Sequence, residues 1–265
     1  MLRRIALVLE YDGTRYAGFQ LQTDHPTIQG ALETAVECLT GTARRIHGAG
    51  RTDAGVHAQG QVACFDTESQ LSIDRIVGGL NHYLDRDVAI RTAYDVDPGF
   101  DPRRHATSRV YRYSILESRS RSPLRQNMTY HVGQRLDVVA MNTALASLHG
   151  PRDFVPFCGN LPVGSTIRQM YRTQVWRQEG EEVCLEMEGS AFLHQQVRRT
   201  ASSVLDVGLG KMTIDDFKML ADSGVHGSAT HVLPASGLCL RRVGYNDFPP
   251  NAELAATNDT EVTVG

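Results

Sequence analysis

The pattern of hydrophobic and polar positions predicts the same order of elements twice along the chain. Apolar runs of strand length predict strands, and apolar residues spaced three and four apart predict helices. In the first half, elements are predicted in the order β-α-β-β-α-β over residues 3–10, 27–39, 46–49, 59–65, 72–83 and 88–96. In the second half the order returns over residues 108–116, 137–148, 166–178, 182–188, 192–205 and 238–243, with an added helix over 214–221.

Two copies of a split βαβ unit, ferredoxin-like or RRM-like, predict an α+β fold. We expect antiparallel sheets that form a central sheet flanked by helices. Pro98 and Pro102 interrupt the pattern, so we place an N-terminal subdomain at residues 1–102 and a C-terminal subdomain at residues 103–245. Residues 246–265 carry two prolines and no apolar pattern, which predicts a disordered acidic tail.

The composition is that of a soluble globular protein, with 265 residues of which 41% are hydrophobic and 22% charged. The longest aliphatic run, Ile5–Leu9, is too short to span a membrane, and the start of the chain lacks the features of a signal peptide. Five cysteines without a CxxC pair argue against a disulfide framework and a zinc knuckle. We therefore expect a cytoplasmic protein with no cofactor and no metal.

The formal net charge of −3 argues mildly against nucleic-acid binding, because nucleic-acid-binding domains are usually basic. The positive charge is nevertheless concentrated, since residues 103–135 carry eight arginines and only one acid, Glu117. The arginine side chain suits phosphate and stacks on bases. A codon bias explains an excess of arginine over lysine equally well, but not the clustering. The sequence therefore predicts an RNA-binding segment here, in the C-terminal subdomain.

A glycine-rich loop around Asp53 is the most concentrated candidate for chemistry. Three glycines flank this carboxylate between two predicted strands, with Arg51 before it and His57 after it. A carboxylate in such a loop can act as a nucleophile, a general base or a metal ligand. An isolated aspartate in a glycine loop more often caps a turn through backbone N–H groups. The local pattern alone leaves these roles open.

Two further segments carry candidate binding residues. On the strand that begins at residue 108, Arg109, Tyr111 and Tyr113 share one face, the pattern with which sheet proteins stack nucleobases. Packing of a half-buried sheet would also favour tyrosines there. Arg198 lies near the start of the predicted helix over 192–205, where it can reach a neighbouring loop or remain solvated.

The stretch GRTDAGVHA over Gly50–Ala58 resembles the active-site signature of the tRNA pseudouridine synthase A family. Further segments resemble the same family in the same order: Glu10–Thr14, Gly18–Gln20, Thr27–Gly30, Gly79–Asn81, Tyr111–Tyr113 and Phe192–Arg198. The resemblance runs from about residue 3 to residue 245. The departures include Gln195-Gln196, where many relatives carry His-Met, and remove none of the candidate site residues.

The resemblance implies isomerisation of uridine to pseudouridine in the anticodon stem-loop of tRNA, at nucleotides 38, 39 and 40. It implies a homodimer that binds tRNA and needs no cofactor or metal. Asp53 would be the nucleophile, attacking C1′ or C6 or assisting glycal formation. Tyr111 would stack on the flipped base and help to remove the C5 proton, and Arg198 would pair with Asp53. Arg51 would contact phosphate or flip the base, and His57 would be structural.

Two other functions are compatible with parts of the pattern. A non-catalytic RNA-binding module would explain the repeated units and the tyrosine strand, but it leaves the loop around Asp53 unexplained. A metal-dependent hydrolase would use Asp12, Asp53 and His57, although their spacing matches no metal motif.

Overall fold

The computed structural model describes residues 2–179 and 181–248, in which both predicted βαββαβ units are present. The strands of this part of the chain are β1 (Arg3–Tyr11), β2 (His47–Gly48), β3 (His57–Thr67), β4 (Val88–Val96), β5 (Ser108–Glu117), β6 (Tyr130–Val132), β7 (Gly150–Asp153), β8 (Ile167–Gln178), β9 (Glu182–Gly189) and β10 (Leu238–Gly244). The helices are α1 (Ile28–Thr40), α2 (Ile73–Tyr83), α3 (Val138–Ala146), α4 (Gln196–Gly208) and α5 (Ile214–Ala221).

All ten of these strands join one sheet, whose main path runs β4-β1-β3-β10-β5-β9-β8-β7. The first unit has the order β4-β1-β3-β2, because β2 pairs with β3. The second unit repeats this arrangement as β10-β5-β9-β8. The ladders that join these four strands within each unit are antiparallel, which confirms the predicted α+β fold class.

The two units meet where β10 runs parallel to β3. This seam is short, because Cys239 pairs with His57 and Leu240 with Ala58. Strand β2 occupies only the far end of the same edge, opposite Ala63 and Cys64. The seam therefore lies directly after the loop that carries Asp53, and residues of both units can approach that loop.

The helices bury their apolar faces in two clusters, one in each unit. Thr27 begins α1 by accepting a hydrogen bond from the Gly30 N–H, and Asp137 begins α3 by accepting one from the Ala140 N–H. The first cluster centres on Ile5, Leu7, Leu9, Ile28, Leu32, Ile76 and Leu80. The second centres on Tyr113, Leu185, Met187, Met141, Ala201, Val204 and Phe217. No α-helix among residues 2–179 and 181–248 has the length and apolarity needed to cross a membrane.

Helix α4 begins at Gln196, so the prediction of a helix from residue 192 is wrong at its start. Gln195 has a φ of 59°, a left-handed conformation that interrupts a helix. The preceding backbone groups are bonded elsewhere, because the Leu193 N–H donates to Gln196 Oε1 and the His194 carbonyl accepts from the Gly159 N–H. Residues 192–195 are therefore a loop that lies against another segment of the second unit.

The hydrophobic pattern does not predict two short strands, and most of the predicted tail lies outside the described residues. Strand β6 has three residues, and β7 has four, including Pro151, which suits an edge strand. Of the predicted tail, residues 249–265 are not described. Phe248 is 9% exposed and packs against Phe100, with ring centroids 5.1 Å apart. The core of the first unit thus continues to Phe248.

Candidate active site

A cleft of about 1200 Å³ lies beside the seam between the two units. Its lining includes the four residues to which the family resemblance assigns catalysis or substrate binding: Asp53 and Arg51 from the glycine-rich loop, Tyr111 from β5 and Arg198 from α4. These residues are separated by up to 147 positions in the chain. The fold therefore brings the candidate residues of both units to one place.

The loop around Asp53 is held by the turn that follows β1. Thr52 is 6% exposed, and its Oγ1 lies 2.9 Å from Tyr11 Oη. The Thr52 carbonyl accepts a hydrogen bond of 3.1 Å from the Phe19 N–H. Gly18 has a φ of 100°, and a Cβ there would lie 2.6 Å from the Thr52 carbonyl oxygen. Only glycine fits this approach, so the turn and the loop form one rigid support for Asp53.

His57 is buried beneath the loop rather than in the cleft. Its ring is 2% exposed, and Nδ1 lies 3.1 Å from both the Gly13 nitrogen and Asp12 Oδ1. These contacts connect the start of β3 to the turn that follows β1, which fits a structural role for His57. Within the described part of the chain, no group of three or more His, Cys, Asp or Glu residues is arranged to hold a metal ion.

The carboxylate of Asp53 faces a cation on one oxygen and an imidazole on the other. Arg198 Nη1 lies 3.3 Å from Oδ2, and His194 Nε2 lies 4.0 Å from Oδ1. The Arg198 side chain is only 15% exposed, and its Nε donates a hydrogen bond of 2.7 Å to the Leu233 carbonyl. Arg198 is thus fixed by a second partner, and its position fixes the orientation of the carboxylate.

Of the two tyrosines predicted to share a face, only Tyr111 lines the cleft. Its ring meets Phe192 edge to face, with the centroids 5.2 Å apart. Burial, together with the neighbouring Tyr11 and Asp53, raises the pKa of Tyr111 above its ordinary value, so the phenol is protonated at neutral pH. Tyr113 is instead fully buried in the second cluster and donates to the Pro234 carbonyl at 2.9 Å.

The cleft is strongly basic although the chain is acidic overall. Its lining contains two aspartates, Asp53 and Asp101. The lining arginines are Arg45, Arg51, Arg103, Arg104, Arg109, Arg168 and Arg198. Only three of these belong to the predicted RNA-binding segment over residues 103–135. The basic surface is therefore assembled from both units rather than from one stretch of sequence.

Other arginines of that segment face away from the cleft and are paired. Arg112 stacks on Trp176, with its guanidinium carbon 4.9 Å from the ring centroid, and pairs with Glu186 at 2.9 Å. Arg125 pairs with Glu182 at 2.8 Å. These side chains link β5 and the loop after it to neighbouring strands, so the segment is partly structural.

Sequence reasoning missed Arg109 as an organising residue and His194 as a neighbour of Asp53. The Arg109 guanidinium donates to the carbonyls of Ala49, Arg103, Ala106 and Ser190 at 2.8–3.2 Å. Burial lowers the pKa of this guanidinium, yet an arginine remains charged at neutral pH. The strand pattern places Arg109 on the cleft face, but no local signal shows its two distant partners, the carbonyls of Ala49 and Ser190.

Comparison with known proteins identifies the family of the chain. A family model described as tRNA pseudouridine synthase matches residues 7–103 and 144–246. A "tRNA pseudouridine synthase A" from Myxococcus xanthus is 40% identical over 263 residues, covering 99% of each chain. Proteins of the same name from Geobacter sp. (strain M21) and Roseiflexus castenholzii are 39% and 41% identical, covering 92% and 96% of this chain and 99% and 94% of their own.

The chain therefore belongs to the tRNA pseudouridine synthase family. This result confirms the family resemblance and the prediction that the protein is an isomerase. Among solved structures, one titled "Crystal Structure of a Cbf5-Nop10-Gar1 Complex" aligns over 90% of this chain and 49% of that chain, at 13% identity. Its TM-score is 0.36.

Proposed function

We propose that this chain converts uridine to pseudouridine at nucleotides 38, 39 and 40 of the anticodon stem-loop of tRNA, with Asp53 as the nucleophile. One observation carries the proposal. The Asp53 carboxylate is held by Arg198, beside Tyr111, in an arginine-lined cleft between the two units. Membership of the tRNA pseudouridine synthase family supports the substrate and the reaction.

The reaction moves the glycosidic linkage from one atom of the uracil ring to another, without a net change in composition. The bond between N1 and C1′ breaks, the uracil turns, and C5 bonds to C1′. The C5 proton leaves and N1 gains a proton. A carboxylate nucleophile can begin this sequence at C1′ or at C6, or it can assist formation of a glycal. Each route requires the uridine to be flipped out of the stem-loop into the cleft.

The other lining residues support this chemistry in distinct ways. The half-buried ring of Tyr111 offers a surface on which a flipped uracil stacks. Tyr111 is also assigned help in removal of the C5 proton, and burial raises the pKa of its phenol, which therefore enters the reaction in the neutral form. Arg51 is exposed at the same cleft and is suited to contact a phosphate or to occupy the space that the flipped base leaves.

The arginines of the cleft are suited to bind the phosphates of the tRNA backbone. A homodimer would present two such clefts to one tRNA molecule. The family resemblance supports this homodimer, and the composition supports a cytoplasmic location. The reaction as written needs neither a cofactor nor a metal.

The proposal is tested by replacing Asp53 with asparagine and measuring chemistry and binding separately. Pseudouridine formed in tRNA should fall to background in Asp53→Asn, while the Kd for tRNA should stay within a few-fold of wild type. Asp101→Asn serves as the matched control, because Asp101 is the other aspartate of the cleft. Unchanged isomerisation in Asp53→Asn would refute the proposal, and activity that depends on added metal would favour a hydrolase.

A further inference from the structure

His194 is held between the Asp53 carboxylate and the loop over residues 158–160. Its Nδ1 accepts a hydrogen bond of 3.1 Å from the Asn160 backbone N–H. A backbone N–H can only donate, so Nδ1 carries no proton and the neutral ring has its proton on Nε2. That Nε2 atom faces Asp53 Oδ1 at 4.0 Å. The imidazole thus presents an N–H donor to the carboxylate oxygen that Arg198 does not contact.

The loop over residues 158–160 packs closely against the side of the His194 ring that faces away from Asp53. The Gly159 N–H donates to the His194 carbonyl at 2.9 Å, and the Gly159 carbonyl contacts His226 Nε2 at 3.0 Å. A Cβ at position 159 would lie 2.6 Å from His194 Nδ1. The absence of a side chain at Gly159 therefore allows the loop to approach the ring and orient it.

We propose that His194 is a positioning residue for Asp53 in the reaction assigned above, on which this inference rests. In the cleft filled by substrate, the neutral Nε2–H donates to Oδ1 while Arg198 holds Oδ2. The two donors together fix the rotation of the carboxylate, so that one defined lone pair faces the uridine. In the open cleft the side chains are 38% and 30% exposed, and the 4.0 Å separation shortens when substrate displaces water.

A neutral donor suits this position better than a second cation would. A carboxylate held between two positive charges is attracted to both and is a weaker nucleophile. The hydrogen bond from the Asn160 N–H occupies the lone pair of Nδ1, so the ring presents its N–H through Nε2. The loop thus selects the tautomer of His194 that presents Nε2–H to Asp53.

The kinetic test compares two substitutions that differ in the N–H group. His194→Phe keeps a planar ring but removes the donor. We expect the single-turnover rate of pseudouridine formation to fall about tenfold, the lower end of the range for loss of one hydrogen bond to a charged group. His194→Gln keeps a neutral N–H donor and should recover most of that rate. The Kd for tRNA should be unchanged in both. His149→Phe is the matched control, because His149 is exposed and contacts the Tyr171 carbonyl outside the cleft.

The outcomes separate this inference from the proposed function. If Asp53→Asn abolishes activity but His194→Phe retains the wild-type rate, the role of His194 is refuted and the function stands. Equal decreases in His194→Phe and His194→Gln, or a decrease confined to tRNA binding, would also refute it. A substrate-free readout is the nitrogen NMR spectrum of the imidazole, which should show a proton on Nε2. A proton found on Nδ1 would overturn the argument whatever the activity.

Discussion

Replacement of Arg198 by lysine tests the ion pair on which the proposed site depends. The arginine makes two contacts at once, from Nη1 to Asp53 Oδ2 at 3.3 Å and from Nε to the Leu233 carbonyl at 2.7 Å. A lysine keeps the charge, but its single ammonium group cannot reproduce the forked geometry of a guanidinium. The substitution therefore separates orientation of the carboxylate from the presence of a nearby positive charge.

The expected magnitude follows from the removal of one charge-assisted hydrogen bond. Such a bond contributes about 1.5–3 kcal/mol, which corresponds to roughly 10- to 150-fold in rate if all of it is expressed in the transition state. The Arg198 side chain is 15% exposed, so water is a poor substitute for the missing hydrogen bond. We expect Arg198→Lys to lie at the lower end of this range, and Arg198→Ala, which removes the charge as well, at the upper end.

The assay is release of tritium from C5 of uridine in tRNA, under single-turnover conditions with enzyme in excess. The Kd for tRNA and the Tm are measured on the same preparations. Arg199→Lys is the matched control, because Arg199 is the next residue on α4 and contacts Gln195 Oε1 and the Ala229 carbonyl instead of Asp53. A wild-type rate in Arg198→Lys, or a decrease explained by the Kd or the Tm, would refute the assigned role.

Two further predictions concern binding and stability. Replacing the exposed cleft residues Arg103 and Arg104 by glutamine should weaken tRNA binding. The slope of log K against log salt concentration should become less steep by about 0.7–0.9 for each phosphate that is no longer neutralised. Arg119→Gln is the control, because Arg119 is exposed outside the cleft and its replacement should leave the slope unchanged. An unaltered slope in the double variant would contradict this use of the cleft. The Arg4 guanidinium holds the pKa of Asp66 below its ordinary value, so their pairing stabilises the fold above about pH 4 and is lost as the pH falls through the lowered pKa. Asp66→Asn should therefore lower the Tm at pH 7 by more than it does at pH 3, and an equal decrease at both values would contradict the assignment.

The order of elements could be predicted from the sequence because each unit is specified by local periodicity. The predicted bounds of β4 and α5 agree with the structure, and the other long elements differ by a few residues at their ends. The parallel seam between β3 and β10 could not be predicted in this way. It consists of two residue pairs, His57 with Cys239 and Ala58 with Leu240, and the partners lie 182 positions apart. No local pattern encodes a contact of that kind.

A residue of the candidate site is predictable where it belongs to a recognisable motif. It is less predictable where tertiary packing determines which side chains line the cleft. Asp53, Tyr111 and Arg198 lie in segments that resemble the family. Strand alternation gives Tyr113 the same face as Tyr111, but packing of the second unit covers Tyr113 and leaves Tyr111 in the cleft. Helical periodicity places His194 in a helix, whereas the left-handed Gln195 places it in the loop that faces Asp53.

The distribution of arginines explains how an acidic chain can bind an acidic substrate. In the proposed function, binding depends on the local field of the cleft, where seven arginines and two aspartates converge, rather than on the net charge of −3. In the proposed complex, phosphates neutralise the exposed arginines such as Arg103 and Arg104. Arg198 behaves differently, because it is mostly buried and bound to the Leu233 carbonyl. It therefore remains available to Asp53 after the substrate has occupied the other cations, so one basic cleft can both bind the tRNA backbone and orient the nucleophile.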